Sequence, residues 1–529
     1  MIGPLLLLFL QASPYQAGVQ AYSQHHFTEA IPWFQKAAAG GPQALVAEFM
    51  LGNAYLQAHQ PDQAREAFAA VFEVRPDTAA AHLLTAQMML RARMTQDAEK
   101  EARLALEADA GIPQAHYLLG EVALESGAYD DAIAEFGKEI ASDPSYFMAY
   151  YRLGDAYENR GAWDKAVSVL ERAIWINANN NGPFVLIGKA YRHEGDTADA
   201  KAALEHALQM DPQDPVARQL LAQADTPSAP PPVKTPVTAP AATPTAAPAV
   251  KPDPVYLRGL ASYHARDYAA AAKALQEAVR SMPSGSPLYA DTARIIGRCE
   301  YMAGHIDAAI AWLEKARAAG IRTNELYFAL GNSYLKARQI LKGRAAIAEL
   351  YRVPAESAAA HLFTARMLLK LEFEDDAQAE LAAAAASDPR LPEAHFMLGE
   401  IAIYRAQLDR AVDELNRETA VNPGFAMAYY RLGDAYTRRE DWEHAVPPLQ
   451  RAVWLNPTYS GPYILLGKTY LKKGNLPEAE RMLRMALRLD PRNASAHYLL
   501  GRTLIQSGHA DEGKKLLDEW QTLRKETGQ

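Results

Sequence analysis

Cysteine is almost missing from this chain. Among 529 residues there is one, Cys299, which excludes an intrachain disulfide and any zinc site built from cysteines. Cys299 stands in a slot that Ala54, Ala156 and Ala435 fill elsewhere, so it reads as a small buried thiol; a nucleophile would need a neighbouring base. Blocks of Lys and Arg are missing too, and the net charge is a mild −9, so nucleic acid is not an expected partner. No apolar run approaches the roughly 20 residues needed to cross a bilayer, so no integral span is expected. Also missing are the GxxxxGK[ST] phosphate loop, HExxH, GxSxG and any Gly-rich strand-to-helix turn. His193-Glu194 runs on into Gly-Asp-Thr, and the adjacent His25-His26 cannot share a helix face. No metal, cofactor or catalytic residue is expected, and the chain is read as non-enzymatic.

What the chain has is repetition. The stretch Met-Ala-Tyr-Tyr-Arg-Leu-Gly-Asp-Ala-Tyr occurs at Met148–Tyr157 and again, unchanged, at Met427–Tyr436, an offset of 279. The same offset carries Ala79-Ala-Ala-His-Leu onto Ala358-Ala-Ala-His-Leu, and Trp163 and Trp175 onto Trp442 and Trp454. A shorter period of 34 runs inside each copy: Gly52, Gly120, Gly154 and Gly188 lie on it, with Ala86 at the vacant node. Ala30, Ala64, Ala98, Ala132, Ala166 and Ala200 make a second grid and Pro76, Pro144 and Pro212 a third. The grids resume from Gly297 onward. A sustained period of this length marks a solenoid of stacked supersecondary units.

The period has a physical reading. Small residues at Gly154 and Ala166 let two helices of one hairpin approach closely. Leu153 and Tyr157 share one helix face, as do Val169 and Ala173. Gly161 marks the turn between the helices, and Asp143-Pro144 or Asn456-Pro457 ends the second helix, since proline cannot continue it. The pattern Leu-Gly-x2-Tyr, then Ala, then an apolar residue, then Pro resembles the tetratricopeptide (TPR) repeat over nearly the whole chain outside its N-terminus and one linker. The resemblance implies an all-α fold: an α-solenoid of helix-turn-helix hairpins in two right-handed superhelical arrays.

The segments divide as follows. Residues 1–12 are an apolar, signal-like stretch without the positive start of a complete signal. Export to an extracytoplasmic compartment is the preferred expectation; the alternative is an apolar cap on a cytoplasmic protein. Residues 13–224 are read as a first array of six units closed by one helix. Residues 225–254, a third of them proline, are read as a disordered, extended linker. Residues 255–529 are read as a second array of eight units.

In this family the first helix of each hairpin lines a concave groove that binds extended peptides or protein segments. The resemblance places the residue after each node in that groove: Asn53, Gln87, Glu121, Asp155 and Lys189, then Asn332, Arg366, Glu400, Asp434, Lys468 and Arg502. The two series agree except at Gln87 and Arg366. Three residues before each node stand aromatic or apolar residues, among them Phe49, Tyr151, Phe328, Tyr430 and Tyr498. Rings supply contact area and charges set register, so Tyr151 and Tyr430, with Arg152 and Arg431, join the candidates. Two other roles stay open: the aromatics filling gaps between hairpins, and Arg152–Asp155 and Arg431–Asp434 pairing along one helix. Chaperone-adaptor members of the family hold a C-terminal carboxylate with Lys and Asn; here Phe49 and Phe328 stand where that Lys would be, a departure from the clamp.

Trp175 and Trp454 sit at a usually polar place of the second helix. They are either interface anchors or covered by a local turn such as Asn177-Ala-Asn-Asn-Asn-Gly; cover by the turn is the expectation. The functional expectation is a protein-interaction scaffold. An exported cell-envelope assembly or secretion adaptor, or an accessory subunit of an enzyme, are the alternatives.

Overall fold

The computed structural model of the chain describes residues 13–41, 43–223 and 253–527. The signal-like segment, and all of the proline-rich segment except Asp253 and Pro254, lie outside the described residues. Among the described residues the chain is all-α, without a strand.

The helices come in pairs. The first six hairpins are α1–α2 (Pro14–Ser23, Phe27–Ala38), α3–α4 (Ala44–Gln57, Pro61–Phe72), α5–α6 (Ala79–Arg91, Thr95–Ala108), α7–α8 (Ala115–Glu125, Tyr129–Ser142), α9–α10 (Phe147–Asn159, Trp163–Ile176) and α11–α12 (Gly182–Glu194, Thr197–Met210). A single helix, α13 (Pro215–Ala222), follows them. Four more hairpins run from Pro254: α14–α15 (Pro254–His264, Tyr268–Ala278), α16–α17 (Pro287–Met302, Ile306–Ala318), α18–α19 (Asn324–Lys336, Ile340–Tyr351) and α20–α21 (Ala358–Lys370, Glu374–Ser387). The last four are α22–α23 (Ala394–Tyr404, Leu408–Val421), α24–α25 (Ala426–Arg438, Trp442–Leu455), α26–α27 (Ser460–Lys472, Leu476–Leu489) and α28–α29 (Ala494–Gln506, Ala510–Thr527). This is an α-solenoid of helical hairpins.

The node glycines show why these residues make hairpins. A Cβ on Gly154 would lie 2.4 Å from the Leu170 side chain, and one on Gly433 equally close to Leu449. Phe68 lies over Gly52 and Phe136 over Gly120 in the same way. The expected close approach is present, but the residue that fills it stands sixteen positions after the node, as Leu170 does after Gly154. Ala166 is fully buried beside it. Phe68, Phe136, Leu170 and Leu204 are among the largest fully buried side chains.

The turn inside each hairpin has one fixed conformation. Gly161 takes a left-handed backbone, φ +76°. The equivalent residue is left-handed in every hairpin, including those that carry His25, Arg93, Ala406 or Glu440 there. The second helices α8 and α25 end before proline, with Asp143 and Asn456 as C-caps.

The chain divides into two compact units, neither continuous in sequence. One combines Met1–Asp143 with His395–Gln529; the other is Pro144–Ala394. Each therefore takes hairpins from before and after the proline-rich segment. Within each unit the second helix of one hairpin packs on the first helix of the next, as α4 on α5, α10 on α11 and α27 on α28.

Candidate protein-binding faces

All of the expected binding residues fall on first helices, from α3 to α28. Their charges are mostly spoken for by neighbours. Lys189 Nζ donates to Glu158 Oε2 at 2.9 Å. Glu158 is buried, and burial pushes its carboxyl up to about 7 against the pull of Lys189. Arg431 Nε donates to Glu400 Oε1 at 3.0 Å, and its guanidinium lies 3.9 Å from Asp434. Asp434 is buried and accepts from Arg438 Nε at 3.0 Å. Arg152 and Asp155 pair along α9 at 3.3 Å, the local pairing the spacing allowed. Asn53 and Asn332 each turn back to their own helix, donating to the Phe49 and Phe328 carbonyls at 2.9 Å. Glu121 is half-buried on α7, and Arg502 is exposed on α28 with its guanidinium over the Tyr498 ring.

Two of these residues show where the arrays differ. Gln87 Nε2 donates to Gln114 Oε1 at 3.1 Å, and Gln114 Nε2 in turn donates to Asn422 Oδ1 at 2.7 Å. In the other unit Arg366 pairs with Glu393. The single mismatch of the node series is thus one half of a compensated pair: amide with amide in one unit, cation with carboxylate in the other. Gln114 and Glu393 also differ at the 279 offset, a signal the node series alone did not hold.

Lys468 is the exception to the pairing. Where Lys189 meets Glu158, Lys468 has Thr437, whose hydroxyl donates to the Gly433 carbonyl at 2.7 Å. Lys468 has no ion-pair partner among the described residues.

The aromatic positions hold a contact that local spacing did not disclose. In the unit containing both chain ends, the Trp454 indole stacks on Phe49, ring centres 4.4 Å apart and planes 8° from parallel. Arg91 donates to the Trp454 carbonyl. Arg451 is buried, donating to the Val71 carbonyl at 2.8 Å and to Glu73 at 2.6 Å. Tyr429 meets Phe72 edge-on, and Ala452 and Leu455 join the core of Phe68, Leu84 and Met88. In the central unit Trp175 stacks on Phe328 at 5.4 Å, and Lys370 Nζ donates to the Trp175 carbonyl at 2.8 Å. The expectation that a local turn covers these indoles is therefore corrected. They anchor one array on the other, because a large ring gains more from a stacked partner than from a short polar turn. The indole stack and the bond donated to the tryptophan carbonyl are each made twice, with the roles of the arrays exchanged.

The ring partners of Tyr151 and Tyr430 lie within their own array. Tyr151 stacks on Phe147 at 6.1 Å, and Tyr430 meets Tyr459 edge-on at 5.2 Å. Burial raises both phenols. Cys299 is buried, and burial pushes its thiol up to about 12. Among the described residues no cluster of three His, Cys, Asp or Glu side chains is placed to hold a metal ion, and no helix is long and apolar enough to cross a membrane.

Stacked hairpins built on one sequence frame, with buried node glycines and variable side chains on the first helices, define a helical repeat scaffold. Family models described as tetratricopeptide repeat match residues 21–88, 90–146, 117–182, 184–224, 256–321, 396–460 and 464–524. The chain belongs to the tetratricopeptide repeat family, whose members typically serve as non-enzymatic scaffolds for protein partners.

No curated protein matches the chain. Among solved structures, MamA from Desulfovibrio magneticus RS-1 is 21% identical, covering 32% of this chain and 96% of its own, with a TM-score of 0.30. The Cut9–Hcn1 hetero-tetramer of APC/C is 14% identical over 92% of this chain and 95% of its own, with a TM-score of 0.30. Yeast Tom70 is 16% identical over 76% of this chain and 90% of its own, with a TM-score of 0.29. At such scores the likeness says nothing of what this chain binds.

Proposed function

We propose that the chain is a non-enzymatic scaffold that holds extended protein segments along its first-helix faces. The observation that supports this reading most directly is Lys468. Its charge is held half-buried on α26 and meets no carboxylate among the described residues, next in register to Arg502 over Tyr498 on α28. A half-buried ammonium without a counter-charge favours an incoming carboxylate. A protein segment bearing acidic side chains can lie across α24, α26 and α28, with Tyr430 and Tyr498 supplying ring surface. Because the node series of the two arrays nearly match, related ligands are proposed for both.

The test uses the full chain. Lys468→Glu combined with Arg502→Glu is compared with the wild type in affinity capture followed by mass spectrometry, with Arg484→Glu on the second helix α27 as control. Partners lost with the double variant and kept with the control support the reading. An unchanged set of partners places the binding surface elsewhere.

A further inference from the structure

We infer that the seat at Phe328 is the one an outside protein can take, and that its occupant is a helix carrying an indole near its C-terminal end and a carboxylate three residues earlier. This rests on the scaffold reading above and names the face and the ligand chemistry.

Both units hold a helix end of one pattern, Arg-Ala-Ile/Val-Trp-Ile/Leu-Asn, at Arg172–Asn177 and Arg451–Asn456. The two seats are not equal. Arg451 is satisfied by a backbone carbonyl and by Glu73. In the central unit the residue in the place of Glu73 is Arg352. It keeps the left-handed backbone of Glu73, φ +58° against +57°, and reverses the charge. Arg352 opposes Arg172 with like charge, and the Arg172 Nε is buried with no hydrogen-bond partner among the described residues. Beside it, Glu171 takes a hydrogen bond from Asn324 but faces the like charge of Glu325. At this seat the resident helix α10 is held by the Trp175–Phe328 stack, the Lys370 amine and the Asn324 bond, while its Arg172 has the carboxylate of Glu171 on its own helix and the like charge of Arg352 across the seat. A helix with Asp or Glu in the place of Arg172 would keep the ring and carbonyl contacts and gain Arg352 as a partner.

The first experiment is hydrogen exchange on the full chain, following the last turn of α10. Arg352 is exposed, so its replacement should leave the fold intact, as far-UV circular dichroism would report. Arg352→Glu alone, and Arg172→Glu alone, are each expected to slow exchange about threefold, the worth of one partly exposed ion pair. The double variant, with two carboxylates opposed, should return to the wild-type rate. A single variant that leaves exchange unchanged, or two effects that simply add, would overturn the opposed-charge account. The second experiment adds a synthetic peptide of residues 163–181 carrying Arg172→Glu. It should accelerate exchange in α10 at concentrations where the unaltered peptide does not. Equal effects of the two peptides, or none from the acidic one, would overturn the ligand assignment. Neither measurement needs the natural partner, so failure here is distinguishable from failure of the capture test.

Discussion

Gly127, Gly161, Gly195, Gly304, Gly474 and Gly508 turn their hairpins with a left-handed backbone, and the remaining hairpins do the same with side chains that resist it, such as Ala406 at φ +56°. An alanine held there costs about 1–2 kcal/mol of backbone strain. Ala406→Gly should therefore stabilise the chain by about 0.5–1 kcal/mol, net of the entropy glycine adds to the unfolded state; a urea midpoint that stays put or falls would count against this. The opposite substitution at a node is expected to hurt. A methyl on Gly433 would meet Leu449 at 2.4 Å in a packed interior, so Gly433→Ala should cost about 1–3 kcal/mol, measurable by the same titration. The node Gly433 was legible in the 34-residue grid, and the turn was read at Gly161. The node's true partner was not, because the grid pairs Gly154 with Ala166 while the contact falls on Leu170, whose recurrence as Leu204, Leu449 and Leu483 was the overlooked signal.

Whole helices are joined by buried carboxylates that no motif announced. Glu139 on α8 accepts from the Gln114 and Tyr117 amides at 2.8 and 3.1 Å, capping the start of α7. Glu418 does the same from α23 for the Phe396 amide at 3.2 Å. Burial pushes the Glu139 carboxyl up to about 7 and that of Glu418 up to about 8. The folded state thus holds these protons more tightly than the unfolded chain, where a glutamate titrates near 4.5. Between that pH and about 8 unfolding releases protons, so stability should fall as pH rises through the window. Glu418→Gln, which cannot ionise, should flatten the decline, as thermal melts at about pH 5 and about pH 8 would show; a decline as steep as that of the wild type would remove Glu418 as its source. The helices themselves were plain from periodicity and proline, since those are local. The caps were not, because a Glu on a second helix looks like any solvated residue until its partner is placed.

At the scale of the molecule, repetition and compactness divide the chain differently. The repeats mark one array on each side of the proline-rich segment, whereas each compact unit draws on both. Trp454 and Phe49 are roughly 400 residues apart, and no spacing rule reaches that far. What the sequence did hold was the anomaly of a tryptophan at a polar place, repeated at the exact offset of the duplication. The first array made alone, residues 1–224, would leave Phe49, Phe72 and Met88 without the Trp454, Tyr429 and Leu455 that cover them in the whole chain. That fragment should melt well below the full chain and bind a hydrophobic dye, while Trp454→Ala in the full chain should cost about 2–4 kcal/mol. A fragment as stable as the parent would mean that the stacked indole adds nothing.

The exchange of roles between the arrays bears on molecularity. Each array owns one Phe seat and one Trp-bearing hairpin, and the two sets are complementary. A polypeptide with only one such array could satisfy both only by meeting another molecule, in an association that dilution would undo. With the two arrays on one polypeptide, the same contacts form at a local concentration set by the tether. The tandem duplication has therefore turned what would be a second-order encounter into a first-order step of folding.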